Sequence, residues 1–106
     1  MRMTPQLECV LRFFLEEPGA RRYGYEVMKA TQLASGTVYP LFARLQDSGL
    51  VVSAWETPAD EGQRPRRYYQ LTGEGVRVAR LELAHLTQKR HSGAPGTARP
   101  AAGTAG

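Results

Sequence analysis

The sequence predicts a mainly α (α+β) domain, with three short helices, a β-hairpin and a longer final helix. Three observations carry that prediction. Apolar residues recur at helical spacing around Leu7, Val38 and Val76. Two runs rich in β-formers, LVVSAWET and RRYYQL, flank the turn-forming stretch PADEGQRP. The last stretch, SGAPGTARPAAGTAG, contains no large apolar residue. The chain has 106 residues, which allows one domain. None of its apolar runs approaches the ~20 residues that a membrane-spanning helix needs.

Each element has its own justification. The first helix runs from about Thr4 to Glu17, with Thr4 as N-cap, Pro5 at the first helical position and Pro18-Gly19 as the stop. Leu7, Val10, Leu11, Phe14 and Leu15 give it one apolar stripe. A second helix follows Tyr23-Gly24-Tyr25 and reaches about Thr31, with Tyr25, Val27 and Met28 as its apolar contacts. In the third, Val38, Leu41, Phe42 and Leu45 stand at i, i+3, i+4 and i+7. Pro40 requires that helix to begin close to Ser35–Thr37, with Ser35 or Thr37 capping it. Gly49 ends it in the left-handed conformation.

Leu50 to Thr57 and Arg66 to Leu71 read as the two strands of a hairpin. On the second, Arg67, Tyr69 and Leu71 share one face and Arg66, Tyr68 and Gln70 the other. Thr72 caps the final helix, which reaches about Arg90 and carries the stripe Val76, Ala79, Leu83 and Leu86. Residues 1–91 form the domain, with 72–91 as its last helix, and 92–106 read as a disordered tail. Helix, helix, helix, strand, strand, helix is the layout of a winged helix-turn-helix.

Composition bounds the chemistry. One cysteine excludes an intramolecular disulfide and a Cys-based zinc site. Cys9 reads as a buried structural thiol beside the first apolar stripe. His85 and His91 have no partner at metal spacing, and no nucleophile–base pair, carboxylate dyad or phosphate loop is recognisable. The chain therefore reads as a non-enzyme without metal or cofactor. The N-terminus lacks the apolar stretch of a secretory signal, so the default setting is cytoplasmic. Fourteen basic residues against ten acidic ones give a net charge of +4, which permits an anionic partner such as nucleic acid.

Several pieces, in order, resemble the PadR family of bacterial transcriptional regulators. They are Tyr23-Gly24-Tyr25-Glu26, then Ser35-Gly36-Thr37-Val38-Tyr39-Pro40-Leu41, then Arg44-Leu45-Gln46-Asp47-Ser48-Gly49-Leu50-Val51. Arg64-Pro65-Arg66-Arg67-Tyr68-Tyr69-Gln70-Leu71-Thr72 and Gly75 complete the set. The resemblance covers about Leu7 to Leu86, and the chain looks like the family's short form. It implies a homodimer joined through the final helix, the third helix in the DNA major groove, and the wing on the backbone or minor groove.

The residues nominate their own site. With the apolar face of the third helix turned inward, Ser35, Thr37, Tyr39 and Arg44 are left to meet base edges or phosphates. Arg64, Arg66 and Arg67 are the densest basic cluster and need no fixed geometry to attract phosphate. Their bland alternative is cross-strand pairing with Glu56, Asp60 and Glu61, which is worth little at a surface, and Asp60 and Glu61 make the wing less one-sided in charge. Arg21 and Arg22 lie where a helix-turn-helix crosses the backbone, and Arg22 joins the DNA set. Tyr25, Phe42 and Tyr69 read as core, and Trp55 as open on one face. On the last helix, Val76, Ala79, Leu83 and Leu86 form the dimer seam, with Val78, Leu81 and His85 on a neighbouring stripe. The sequence thus predicts a repressor that binds a palindromic operator as a homodimer, with room for a small-molecule effector and no membrane partner. The rival reading is a winged-helix module that binds protein and not DNA.

Overall fold

The computed structural model describes residues 2–58 and 61–93. The elements are α1 (Pro5–Glu16), β1 (Arg22–Tyr23), α2 (Gly24–Thr31), α3 (Ser35–Asp47), β2 (Val51–Glu56), β3 (Arg66–Leu71) and α4 (Gly73–Gly93). The Thr4 hydroxyl oxygen accepts the Leu7 N–H at 3.1 Å, so α1 starts where its sequence signal places it. At α2, the Glu26 carboxylate reaches back to accept the Tyr23 N–H at 3.0 Å. Gln32 then takes the left-handed conformation (φ 62°) that turns the chain from α2 into α3.

α3 begins at Ser35 as the sequence predicts, but its cap differs from the expectation. Ala34 is the N-cap and neither Ser35 nor Thr37 caps the helix; the Ala34 carbonyl alone receives the Thr37 and Val38 N–H groups. Pro40 is consequently the sixth residue of α3 and lies beyond the first turn. The helical partner it cannot supply belongs to Gly36, which is exposed, so water can take that carbonyl. At the other end Gly49 adopts φ 75°. The Leu50 N–H reaches the Leu45 carbonyl at 2.9 Å and the Gly49 N–H the Gln46 carbonyl at 3.0 Å, a Schellman closure.

The sheet is three-stranded and antiparallel, in the order β1-β3-β2. β2 and β3 form the predicted hairpin, in register from Val51 opposite Leu71 to Glu56 opposite Arg66. β1 is an addition: Arg22 and Tyr23 pair with Tyr69 and Tyr68. Two residues are too few for alternation to announce a strand.

Fifteen buried apolar residues form one core, drawn from every element except β1. Phe14 meets Phe42 edge-on at 6.1 Å, and Phe42 lies on Tyr69 at 4.0 Å, which ties α1, α3 and the hairpin together. α4 is fixed at its start. The Thr72 hydroxyl accepts the Gly75 N–H and donates to the Gly49 carbonyl, both at 2.9 Å. Gly75 lies against the Leu50 carbonyl, where a Cβ has no room.

Three sequence readings change. Tyr25 is 57% exposed and not core, because it sits in the first turn of α2 and stacks on Tyr23. Cys9 is exposed, since the inward face of α1 is taken by Leu7, Val10, Leu11 and Phe14. On α4, Ala79 and Leu83 are buried in the domain's own core, with Val76 packed beside them. Leu81, on the other stripe, is exposed. α4 reaches Gly93, two residues beyond the predicted domain boundary. The rest of the predicted tail, 94–106, lies outside the described residues, as does Asp60.

Candidate nucleic-acid interface

The buried residues Val38, Leu41, Phe42 and Leu45 fix the roll of α3. At 3.6 residues per turn, Gly36, Pro40, Ala43 and Asp47 then run along its outermost ridge, and all four are exposed. Tyr39 and Arg44, five positions apart, fall on opposite flanks of that ridge. Ser35 and Arg44 are exposed, and Thr37 is half-buried.

The Tyr39 flank faces the hairpin. Its ring meets Phe42 edge-on at 5.8 Å and lies 6.5 Å from Tyr69. Its hydroxyl rests against Gly24, where any Cβ would displace it. Tyr39, Arg66 and Arg67 line one open groove of about 460 Å³ together with Tyr23, Gly24, Tyr25, Trp55 and Tyr69. The Arg44 flank faces the other way and borders a smaller recess of about 120 Å³ with Leu7, Leu41, Leu45 and Ser48. The structure therefore brings Tyr39 to the wing and keeps Arg44 apart from it.

The wing arginines are placed differently from one another. Arg67 donates to the Ser53 hydroxyl at 2.8 and 3.2 Å and lies 5.8 Å from the Trp55 ring and 5.7 Å from that of Tyr69. Arg66 pairs with Glu56 at 3.2 Å and stacks over the Tyr23 ring at 4.2 Å. Arg64 is exposed nearer the tip, in a recess with Glu56, Gln63 and Arg66. Arg22 leaves the set: its side chain is 13% exposed, covers the Phe13 ring at 4.2 Å and reaches Glu17 at 3.8 Å. Its Nε is buried with no partner among the described residues. Arg21 stays outside, over the Tyr68 ring at 4.4 Å.

The electrostatics follow from these contacts. The hydrogen bond from Tyr23 and the cations of Arg66 and Arg21 hold the Glu56 carboxyl below its ordinary value, against a smaller opposing effect of burial. The same hydrogen bond to Glu56 raises the Tyr23 phenol. Burial raises the Tyr69 phenol at the groove floor.

Sequence reasoning missed Tyr23 and Tyr25 as members of this surface. The signal for the tyrosines was the short span of α2, whose first turn has little core to face. Glu56 is one of the cross-strand partners the sequence offers the wing arginines, and the strand register sets it opposite Arg66.

A three-helix unit whose third helix stands beside a β-hairpin, with a long helix closing the domain, is a winged helix-turn-helix. Comparison with known families narrows this. Residues 14–81 match the transcriptional regulator PadR-like family, and the chain belongs to that family. A PadR family transcriptional regulator from Eggerthella lenta superposes with a TM-score of 0.67 at 29% identity, covering 82% of this chain and 80% of that one. A PadR-like transcription factor from Bacteroides fragilis gives 0.68 at 23% identity, covering 81% and 84%. The PcaV transcriptional regulator from Streptomyces coelicolor gives 0.67 at 26% identity, covering 84% of this chain and 61% of that one. The comparison with curated proteins finds no match. Among the described residues, no helix is long and apolar enough to cross a membrane.

Proposed function

We propose that this chain is a sequence-specific DNA-binding repressor that acts in the cytoplasm as a homodimer on a palindromic operator. The ridge of α3 enters the major groove and the wing lies along the adjoining backbone. One observation carries this reading: Tyr39 from α3 and Arg66 and Arg67 from β3 line a single open groove beside an unobstructed helix ridge. Ser35 and Thr37 contribute at the helix start and Arg44 on the far flank, while Arg64 extends the basic edge toward the wing tip. Membership of a family of transcriptional regulators supports it.

The dimer is proposed along α4. Because Ala79 and Leu83 are occupied by the domain's own core, the row open to a second copy is Leu81 and His85, with the outer edges of Val76, Val78 and Leu86 beside it. Two-fold symmetry there sets two α3 helices side by side for a two-part site. A small-molecule effector entering the aromatic groove would compete with DNA for Tyr39. The solved structures include PcaV in complex with its natural ligand, at 26% identity.

The test is titration of labelled duplex from the chain's own upstream region, followed by fluorescence anisotropy. Arg44→Ala and Tyr39→Phe weaken binding with the fold intact. The triple variant Arg64→Ala/Arg66→Ala/Arg67→Ala flattens log affinity against log salt by up to about 0.9 per lost phosphate contact. Unchanged binding in all of these would return the surface to the protein-binding reading.

A further inference from the structure

We propose that Glu56 is a positioning residue for the wing: its carboxylate holds the Arg66 guanidinium in the orientation that meets a DNA phosphate. The proposal rests on the DNA-binding reading above and names how that surface is prepared.

Glu56 closes β2 and Arg66 opens β3, directly opposite in register. One Glu56 oxygen accepts the Tyr23 hydroxyl proton at 2.6 Å, and the other accepts from Arg66 at 3.2 Å. Arg21 stands 3.8 Å from the carboxylate. The Arg66 guanidinium lies over the Tyr23 ring at 4.2 Å, and its nitrogens come within 3.4 Å of the Tyr23 hydroxyl and 3.5 Å of the Tyr25 hydroxyl. Tyr23 is itself held by stacking on Tyr25, with ring centroids 5.9 Å apart. Three segments of the chain, the β1–α2 junction, β2 and β3, thus converge on one carboxylate.

The arrangement is asymmetric in a useful way. The Glu56 side chain is 28% exposed and that of Arg66 is 54% exposed. The anion is tucked behind the cation, which is gripped on one edge and one face and left open on the others. An arginine has five N–H donors in a fixed fork, so a guanidinium gripped by Glu56 and Tyr23 keeps donors for a phosphate. A free arginine at the loop end of a hairpin would have to surrender rotamer entropy on binding; this one has already done so.

Two plainer accounts make opposite or flat predictions. As a mere negative charge beside DNA, Glu56 would repel phosphate, and its removal would strengthen binding. As an ordinary surface ion pair, it would add little to stability and leave DNA binding alone. A positioning role requires that deleting an anion weakens binding to a polyanion.

The experiment measures affinity of the full chain for duplex from its own upstream region, over a salt series, with melting curves as a control for folding. The variants are Glu56→Ala, Glu56→Gln, Tyr23→Phe, Arg66→Ala and the double Glu56→Ala/Arg66→Ala. Glu56→Ala should weaken binding about threefold or more and flatten the salt slope toward that of Arg66→Ala, a change of about 0.9. Glu56→Gln keeps polar groups for both partners and should recover most of the loss. Tyr23→Phe, which changes no charge, should weaken binding in the same direction. In the double variant, the Glu56 change should add nothing to the loss from Arg66→Ala. Binding by Glu56→Ala that is equal to or tighter than wild type, with an unchanged slope, overturns the proposal. So does an Arg66→Ala variant with wild-type affinity while Arg44→Ala and Tyr39→Phe remain weak, an outcome that leaves DNA binding standing. A wild-type chain that binds no duplex removes the DNA reading itself, and the positioning role with it.

Discussion

Gly75→Ala sets two effects of opposite sign against each other. On propensity alone, alanine in place of a helical glycine stabilises by up to about 1 kcal/mol. The structure sets packing against that gain. A Cβ at Gly75 would stand 2.9 Å from the Leu50 carbonyl carbon and 3.2 Å from its Cα, with the oxygen nearer still. Ordinary contact begins near 3.4 Å, so clearing the oxygen requires α4 or Leu50 to shift by more than about 1 Å. Leu50 cannot yield easily. Its N–H closes α3 on Leu45 at 2.9 Å and its carbonyl accepts the Thr72 N–H at 3.0 Å. Overpacking of this kind costs about 1–3 kcal/mol, and weakening the Thr72 bond adds about 1 kcal/mol. The expected net loss is about 1–3 kcal/mol, and Tm should fall by about 4 °C or more for each kcal/mol in a domain of this size. Gly73→Ala is the control, because nothing lies within 4 Å of its Cβ, and it should be neutral or slightly stabilising. Circular dichroism melts of the two variants and wild type decide it. A Gly75→Ala protein that melts at or above wild type would refute the claim that backbone proximity requires this glycine.

Other outcomes follow from the same geometry. In Gly24→Ala the new Cβ meets the Tyr39 hydroxyl, the free end of a side chain that can swing away; Tm should move little while duplex affinity, read by anisotropy, falls. Glu56 titrates below the ordinary 4.5, so its contribution is present above that value and is lost as pH falls through its lowered folded value. Acid titrations of wild type and Glu56→Gln should therefore coincide near neutrality in shape and diverge below about pH 4.5, wild type losing stability the faster. Leu81→Glu should leave the monomer's melting nearly unchanged, within about 0.5 kcal/mol, and should shift sedimentation at micromolar concentration to the 11.7 kDa monomer.

The long periodic segments were legible in the sequence and the short or two-faced ones were not. α1 and α3 each place four buried residues at helical spacing, and the hairpin is bounded by unmistakable turn residues. β1 has two residues and no period to detect. Tyr25 was misread because position two of an eight-residue helix has no preceding turn to fix which way it faces. Arg22 was read from charge, but a guanidinium with a long apolar stem also covers an aromatic ring, here Phe13. On α4 two apolar stripes competed, and the large residues did not decide between them. The small ones did. Gly75 and Ala79 stand one turn apart, and that is where the helix comes closest to the rest of the domain. Read for closest approach, the sequence would have turned Ala79 and Leu83 inward and left Leu81 outside.

The roll of α3 has a consequence for how DNA would be read under the proposed docking. A helix with its side chains is about 10–12 Å across, close to the width of the major groove. Tyr39 and Arg44 occupy opposite flanks, so one helix sends a hydroxyl toward the backbone on the wing side and a cation toward the other. The ridge between them is Gly36, Pro40 and Ala43, which offer no side-chain hydrogen bond to a base edge, with the Asp47 carboxylate only at its C-terminal end. Such a ridge selects by closeness of fit and by apolar contact, as with a thymine methyl group, more than by donor and acceptor pairing. Ser35 and Thr37 at the helix start are then the polar groups within reach of bases, and the aromatic stack of Phe42, Tyr69 and Tyr39 fixes how far the wing stands from them. Affinity would reside mainly in the arginines of the flank and wing, and selectivity in the first three turns of α3. The two should separate experimentally, with wing variants changing the salt slope at all sequences alike and Thr37 or Ala43 variants changing which sequence is preferred.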